Sequence, residues 1–155
     1  MKITLACVGV KQPGWAAQAV EEYLKRFPAE FAVSVKPVKP AARTGTPSGR
    51  VKAEEAARLL AACPKETFLV AMDEHGKAFT SEAFAAWLAK TSLEHPDVSF
   101  VIGGADGLDD GLLKAARAKV SLSAMTLPHA LARLVLVEQL YRAYTILKGH
   151  PYHRE

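Results

Sequence analysis

Five strand-like segments alternate with helix-like segments along the 155 residues of the chain, and this order restricts the fold more than any other feature. The first segment, residues 2–10, is almost continuously apolar, which is typical of a strand that is covered on both faces. Strands that alternate with amphipathic helices predict an α/β fold with a mostly parallel sheet and helices on both faces. We therefore predict a single domain over residues 1–155, and the 50% of residues that are hydrophobic are sufficient for its core.

The boundaries of these segments follow from apolar periodicity and from the positions of proline and glycine. The predicted strands cover residues 2–10, 31–38, 67–72, 98–102 and 120–124. The predicted helices cover residues 15–27, 50–63, 81–90, 112–118 and 130–147. Ser81 is the predicted N-cap of the third helix. Residues 73–77 are predicted to form a turn, and residues 37–49, which are rich in proline and glycine, a mobile loop.

The composition argues against a membrane protein and against a secreted protein. No apolar run reaches the ~18–20 residues that a membrane span needs, and the N-terminus leads into a strand instead of a signal peptide. Cys7 and Cys63 lie in apolar segments without a CxxC spacing or a nearby histidine, so we expect buried free thiols. These features predict a cytoplasmic protein without a metal site.

Positive charge is concentrated in one segment of the chain. The formal net charge is only +4, yet no acidic residue occurs between Glu30 and Glu54. The basic residues in this window are Lys36, Lys39, Arg43, Arg50 and Lys52. A solvated loop is the simpler interpretation of the window, and a phosphate-binding patch is the alternative.

Two segments that follow predicted strands have the composition of ligand-binding loops. Residues 102–107 read Ile-Gly-Gly-Ala-Asp-Gly, and residues 121–129 read Ser-Leu-Ser-Ala-Met-Thr-Leu-Pro-His. Ligands of open α/β sheets bind at strand ends, where glycines let the backbone approach a nucleotide closely. A tight turn is an equally good interpretation of residues 102–107, because their spacing matches neither GxGxxG nor a P-loop.

The C-terminal part combines an apolar helix with a polar tail. Residues 131–147 place apolar side chains at nearly every helical azimuth, which predicts burial on all sides, in the core or in a subunit interface. Glu138 and Arg142 are four residues apart, so they can form a surface ion pair, or Arg142 can point to the ligand junction. The tail, residues 150–155, is either frayed or suited to grip a nucleobase and its phosphate. The tail histidines and His129 lack a metal-site spacing.

Residues 121–129, the sequence Leu-Tyr-Arg-Ala at 140–143 and the ending His-Pro-Tyr-His-Arg-Glu together resemble a known family. They are similar to small bacterial SPOUT methyltransferases that methylate N3 of a pseudouridine in large-subunit rRNA, and the similarity extends over the whole chain. The resemblance implies a deep trefoil knot at the C-terminal end of the fold and a homodimer. It also implies S-adenosylmethionine as the cofactor, and a stem-loop of 23S rRNA in the assembled ribosome as the substrate.

The resemblance also implies the positions of the cofactor and of the reacting base. Three loops would hold the cofactor, with binding residues Met72, Gly103, Gly104, Ser123, Ala124, Met125, Thr126, Leu127 and Pro128. The tail of one subunit would reach the cofactor of the other, which gives the catalytic candidates Tyr152, His153, Arg154 and Arg142. His153 or Tyr152 would position or accept the N3 proton, while the arginines would stabilise the anionic base or hold phosphate. The candidates for substrate binding are His129, His150, Lys36, Lys39, Arg43 and Arg50.

Two functions of other classes stay open on the residues alone. One is a non-catalytic RNA-binding or ribosome-associated module that uses the basic segment and the tail. The other is an oxidoreductase that holds a dinucleotide at Gly103 and Gly104, although no acidic residue ends the second strand to bind a ribose. Binding of S-adenosylmethionine, of NADH or of neither separates the three functions.

Overall fold

The computed structural model describes residues 1–154, and Glu155 at the end of the tail lies outside the described residues. Five strands form one sheet: β1 (Lys2–Val8), β2 (Ala32–Val38), β3 (Phe68–Ala78), β4 (Asp97–Ile102) and β5 (Ala118–Ser121). The strand order is β2-β1-β4-β3-β5, and all neighbouring strands are parallel. The predicted α/β fold with a mostly parallel sheet is therefore confirmed.

Helices cover both faces of the sheet, as predicted. They are α1 (Gly14–Leu24), α2 (Ser48–Ala62), α3 (Ser81–Glu94), α4 (Asp110–Ala115) and α5 (His129–Lys148). On β1, Ile3, Leu5 and Cys7 pack into the core layer that contains α1, α3 and α5. Ala6 and Val8 point to the opposite layer, which contains α2 and α4. This alternation explains why β1 is apolar at almost every position.

Strand β3 is longer than predicted, and the predicted turn at residues 73–77 is wrong. Pairing with β5 runs to Met72 opposite Val120 and resumes with Lys77 opposite the same residue, so the intervening residues form a bulge. A Cβ atom at Gly76 would lie 2.6 Å from the backbone nitrogen of Val120, a contact that only glycine avoids. The acidic and glycine residues that signal a turn here shape a bulge instead.

Smaller differences concern helix ends. Thr80, and not Ser81, is the N-cap of α3, because its hydroxyl accepts a hydrogen bond from the Ala83 N–H at 3.1 Å. The Ser81 hydroxyl instead donates to the Gln139 side chain at 2.7 Å and links α3 to α5. Helix α4 ends at Ala115 and β5 already begins at Ala118, so both elements are shifted towards the N-terminus of the predicted segments.

Helix α5 is buried on only part of its circumference within one chain, so the first alternative, a helix enclosed by the core, does not apply, and the second, a subunit interface, stays a prediction. Leu136, Val137 and Leu140 are fully buried between the sheet, α1 and α3. Several other apolar side chains of α5 are only partly buried, and Leu147 is 41% exposed. The partly exposed apolar residues are Leu131, Leu134, Val135, Tyr144 and Ile146. Within residues 1–154, no helix is long and apolar enough to cross a bilayer.

Both cysteines are free thiols, as predicted, and Cys7 is buried in the sheet. Burial raises the pKa of the Cys7 thiol from its ordinary value of 9.0 to about 11, although the Arg133 charge and hydrogen bond oppose this rise. Between these two pH values the thiol ionises in the unfolded chain and stays protonated in the folded one. Rising pH therefore favours unfolding in this window.

We expect this thiol to reduce the free energy of unfolding by about 2–3 kcal/mol as the pH rises through that window. The stability is fully present below about pH 9 and is lost as the pH approaches about 11. Urea unfolding of the wild type and of Cys7→Ala between pH 9 and pH 11 measures the effect. The free energy of unfolding should fall more steeply with pH in the wild type than in the variant. Equal pH dependence in both proteins would contradict it.

Candidate functional site

The carboxyl ends of β3, β4 and β5 surround a cavity of about 660 Å³. Its wall consists of residues 72–74 after the regular part of β3, residues 102–108 after β4, residues 120–129 after β5 except Ala124, and Ala132 on α5. A parallel sheet brings these segments together because all its strands end at the same edge. The volume lies within the range of small-molecule sites in proteins, about 300–1,000 Å³.

Most of the predicted cofactor residues lie in this wall. The residues that line the cavity are Met72, Gly103, Gly104, Ser123, Met125, Thr126, Leu127 and Pro128. Ala124 does not line it. His129, a candidate for substrate binding, does, at the first position of α5.

The glycine turn after β4 is closed so tightly that it presents backbone to the cavity. A Cβ atom at Gly103 would lie 2.8 Å from the carbonyl carbon and oxygen of Gly107. The Gly107 N–H donates to the Gly104 carbonyl at 3.0 Å and closes the turn. A side chain is therefore excluded at Gly103, which suits recognition of a ligand by N–H and C=O groups at this position, while Asp106 of the same turn lines the cavity.

The loop after β5 is held by its own hydroxyl groups. The Ser121 hydroxyl donates to the Ser123 carbonyl at 3.0 Å, and the Ser123 hydroxyl accepts from the Met125 N–H at 2.9 Å. The Met125 side chain is 80% exposed, so the loop holds an apolar group at the mouth of the cavity without burying it. These bonds explain why serines recur in residues 121–129.

Three carboxylates that sequence reasoning missed also line the cavity: Asp73, Glu74 and Asp106. Asp73 directly follows the regular part of β3, and an acidic residue at the end of a buried strand is the signal that could have revealed it. Asp106 accepts a hydrogen bond from the Arg43 guanidinium at 3.1 Å. The rim of the cavity thus carries negative charge and contacts the basic segment.

The basic segment between β2 and α2 is tied to the fold at more than this one point. The Ala41 N–H donates to the buried Glu55 carboxylate at 3.1 Å, and Arg58 donates to the Lys39 carbonyl at 2.9 Å. Of the predicted phosphate-binding side chains, Lys36, Lys39 and Arg43 are exposed, as is Arg50, which pairs with Glu54 at 3.5 Å. The segment therefore presents exposed positive charge, part of it paired with Asp106 and Glu54, from a loop that hydrogen bonds fix beside the cavity.

Arg133 is a second buried charge that the sequence did not reveal. It lies one turn into α5, is 4% exposed, and donates to the Gly9 carbonyl at 2.8 Å and to the Val8 carbonyl at 3.4 Å. These bonds fix the N-terminus of α5, which lines the cavity, against the end of β1. A cation within an otherwise apolar helix was the available signal, because arginine is rarely buried without a specific partner.

The predicted catalytic residues lie at the other end of α5. Arg142 is 13 positions after His129, which corresponds to about 20 Å along the helix at roughly 1.5 Å per residue. Its guanidinium donates to Glu138 at 2.9 and 3.1 Å, as the spacing predicted, and both side chains are mostly buried. Neither Arg142 nor the tail lines the cavity of its own chain. The interpretation in which Arg142 points to the ligand junction of the same chain is wrong.

Residues 1–153 match the model of a family described as predicted SPOUT methyltransferase. The chain belongs to the SPOUT methyltransferase family. Proteins named ribosomal RNA large subunit methyltransferase H are 49% identical in Polynucleobacter asymbioticus and 47% identical in Neisseria meningitidis serogroup C, in both cases over all of both chains. The predicted family and enzyme class are thereby confirmed.

A solved structure shows that the fold is shared with more distant proteins. A probable methylase family protein from Haemophilus influenzae Rd KW20 superposes with a TM-score of 0.55. The superposition covers 97% of this chain and 69% of that one, at 11% identity. This likeness concerns the fold alone.

In this SPOUT chain the tail is packed against its own subunit. The Tyr152 hydroxyl donates to Glu138 at 2.8 Å and lies 2.9 Å from the Tyr23 hydroxyl. Burial, and then the hydrogen bonds with Tyr23 and Glu138 together with the Glu138 charge, raise the pKa of Tyr152 far above its ordinary value. Burial alone would lower the pKa of Arg142. The hydrogen bond with Glu138 and the negative charge of Glu138 outweigh burial, so that the pKa of Arg142 is raised. Tyr152 therefore keeps its proton and Arg142 its charge at neutral pH.

The other tail residues differ in their exposure. His150 is exposed and its Nδ1 atom accepts from the Tyr152 N–H at 3.2 Å. Arg154 is exposed. The Nδ1 atom of His153 is buried and has no hydrogen-bond partner among residues 1–154. In the same part of the chain, no group of three or more histidine, cysteine or acidic side chains could hold a metal ion.

Proposed function

We propose that this SPOUT methyltransferase methylates N3 of a pseudouridine in 23S rRNA, with S-adenosylmethionine as the methyl donor and the assembled ribosome as the substrate. The observation that carries the proposal is the cavity at the ends of β3, β4 and β5, in a chain whose full-length relatives are named as large-subunit rRNA methyltransferases. The site of action is the cytoplasm, where ribosomes lie.

The cavity fits the cofactor in size and in chemistry. Backbone N–H and C=O groups at Gly103 and Gly104, and the loop 121–128, suit an adenosine without any charged recognition group. The sulfonium and the ammonium of S-adenosylmethionine are cationic, and the carboxylates of Asp73 and Glu74 give the wall the opposite charge. When bound, the cofactor supplies an activated methyl group, so the protein mainly has to align the reacting groups.

The tail supplies the groups that a pseudouridine needs. The N3–H proton must leave before or during methylation, and the imidazole of His153, which is half-buried, is the proton acceptor that we propose. The guanidinium groups of Arg154 and Arg142 stabilise the anionic base or hold a phosphate. Tyr152, whose hydroxyl is already engaged, contributes position more than proton transfer.

We propose a homodimer in which the tail of one subunit meets the cavity of the other. The cavity contains the first turn of α5, whereas the tail packs beside Glu138 in the middle of this helix, and residues 150–154 do not line the cavity of their own chain. The partly exposed apolar side chains of α5 support a subunit interface on this helix. The implied trefoil knot belongs to the same proposal, and the pairing of β5 with β3 and the packing of α5 between α1 and α3 support it.

The basic segment is proposed to bind rRNA phosphates through Lys36, Lys39, Arg43 and Arg50. His129 at the cavity and His150 on the tail are the other two residues proposed to bind the substrate. A net charge of +4 is low for tight binding of isolated RNA. Two subunits combine two such patches, and the ribosome offers a preformed surface. We therefore expect ribosomes to be good substrates and free rRNA fragments to be poor ones.

Mass spectrometry of rRNA nucleosides tests the function directly. A strain that lacks the gene should lose methylated pseudouridine from 23S rRNA, and purified protein with S-adenosylmethionine should restore it on the ribosomes of that strain. Unchanged rRNA in the deletion strain would contradict the proposal. Calorimetry separates the alternatives, since binding of NADH alone favours an oxidoreductase and binding of neither nucleotide favours a non-catalytic module.

A further inference from the structure

We propose that Tyr23 and Glu138 are positioning residues that fix the catalytic tail through the hydroxyl of Tyr152. Neither residue belongs to the cavity or to the tail, and they lie on different helices, α1 and α5. The inference rests on the proposed function, because it concerns how the tail of that reaction is held.

The hydrogen bonds at Tyr152 have a defined direction. Its hydroxyl donates its only proton to the Glu138 carboxylate at 2.8 Å, so at the 2.9 Å contact it must accept the proton of Tyr23. Tyr23 is 129 positions away in the sequence, and this bond attaches the tail to the first helix of the fold. The same Glu138 oxygen also accepts from Arg142, so one carboxylate orients two of the four catalytic candidates.

Aromatic packing holds the Tyr152 ring from several sides. The ring meets Tyr141 edge-on at a centroid distance of 4.8 Å and Tyr23 at 6.4 Å. The Arg142 guanidinium lies 5.1 Å from the centre of the Tyr152 ring. Edge-to-face and cation–π contacts of this kind are directional, so they fix the orientation of the ring as well as its position.

The chain also enters the tail in a fixed direction. Gly149 ends α5 in the left-handed conformation, at φ 70°, and the His150 N–H donates to the Thr145 carbonyl at 2.9 Å. Residues 151–154 then form a single 3₁₀ turn, with Tyr152 as its anchored side chain. His153 and Arg154 follow immediately, so their backbone is placed by the anchor and not by contacts of their own.

Because the Tyr152 hydroxyl is already hydrogen-bonded, Tyr152 has a different role from His153 and Arg154. With its proton donated and one lone pair filled, this hydroxyl is committed to Tyr23 and Glu138. Tyr152 is therefore a positioning residue, and the groups left to meet the base are His153 and Arg154. Loss of the anchor should slow the chemical step without weakening cofactor binding, because the cavity is built by other residues.

Tyr23→Phe tests the anchor, because it removes one hydroxyl and keeps the ring. We expect kcat on ribosomes to fall about fivefold to tenfold, the effect of about one lost hydrogen bond, at saturating ribosomes and cofactor. The Kd for S-adenosylmethionine and the Tm should stay close to the wild-type values. Tyr141→Phe is the matched control, since Tyr141 is buried in the same aromatic cluster and its hydroxyl makes no hydrogen bond within residues 1–154.

A double-mutant cycle separates positioning from a general structural role. In a Tyr152→Phe background, Tyr23→Phe and Glu138→Gln should each cause less loss of kcat than in the wild type, because their common partner is missing. Losses of kcat that simply add in the double variants, or a Tyr23→Phe variant as active as Tyr141→Phe, would overturn the inference.

Hydrogen exchange gives a readout that does not depend on activity. The amides of residue 150 and of residues 152–154 should exchange faster in free Tyr23→Phe than in the wild type or in Tyr141→Phe. If the wild type fails to methylate ribosomes, the proposed function is wrong, and this exchange measurement still decides whether the tail is anchored. Unchanged exchange in Tyr23→Phe would refute the anchor itself.

Discussion

Gly103→Ala is expected to weaken the binding of S-adenosylmethionine by at least about 100-fold, which corresponds to about 2.7 kcal/mol. The added methyl group would lie 2.8 Å from the carbonyl carbon and oxygen of Gly107, and 3.0 Å from the Leu108 nitrogen. These are backbone atoms at the other end of the same turn, so no side-chain rotation relieves the contact. The turn has to open, and its two ends both belong to the wall of the cavity.

Calorimetry on folded protein measures the effect, with Gly14→Ala as the matched control. Gly14 begins α1, has no atom within 4 Å of the position of an added Cβ, and does not need a left-handed backbone. The control should bind the cofactor like the wild type. If Gly103→Ala keeps its affinity within about threefold of the wild type, the turn is not a backbone-built part of the site.

The sheet and the cavity wall were predictable because the information is local. Apolar runs, helical periodicity and glycine or proline at the ends fix the five strands, and a parallel sheet necessarily gathers their carboxyl ends at one edge. This explains why Met72, Gly103 and Ser123, from three separate segments, lie around one cavity. The ligand of that cavity was predicted only from the family resemblance, because a cavity lined by backbone groups cannot be recognised from its residue types.

Features set by single contacts were not predictable in the same way. A turn and a bulge use the same residue types, so residues 73–77 gave no sign that β3 continues beyond them. Thr80 and Ser81 are both good caps, and only the tertiary bond from Ser81 to Gln139 decides between them. Pairs at helical spacing, such as Glu138 and Arg142, were predictable, whereas the long-range contact of Tyr152 follows no periodicity.

A mixture of two inactive variants is expected to recover about one quarter of the wild-type activity. Gly103→Ala disables the cavity, and His153→Ala removes the proposed proton acceptor, which should lower turnover about 100-fold or more. If the tail acts on the partner's cavity, a mixed dimer contains one fully intact site, formed by the normal cavity of one subunit and the normal tail of the other. Random pairing makes about half of the dimers mixed, and half of their sites are intact.

The recovered activity decides between two arrangements of the tail, since a tail that serves its own subunit leaves no intact site in any mixed dimer. Co-expression of the two variants, followed by the ribosome methylation assay, measures it. A mixture of Gly103→Ala with the double variant Gly103→Ala and His153→Ala is the control, because no pairing of these chains restores a cavity. Activity at the level of this control would contradict the shared site. The 20 Å or so between His129 and Arg142 along α5 is the reason to expect recovery, because it separates tail from cavity within each chain.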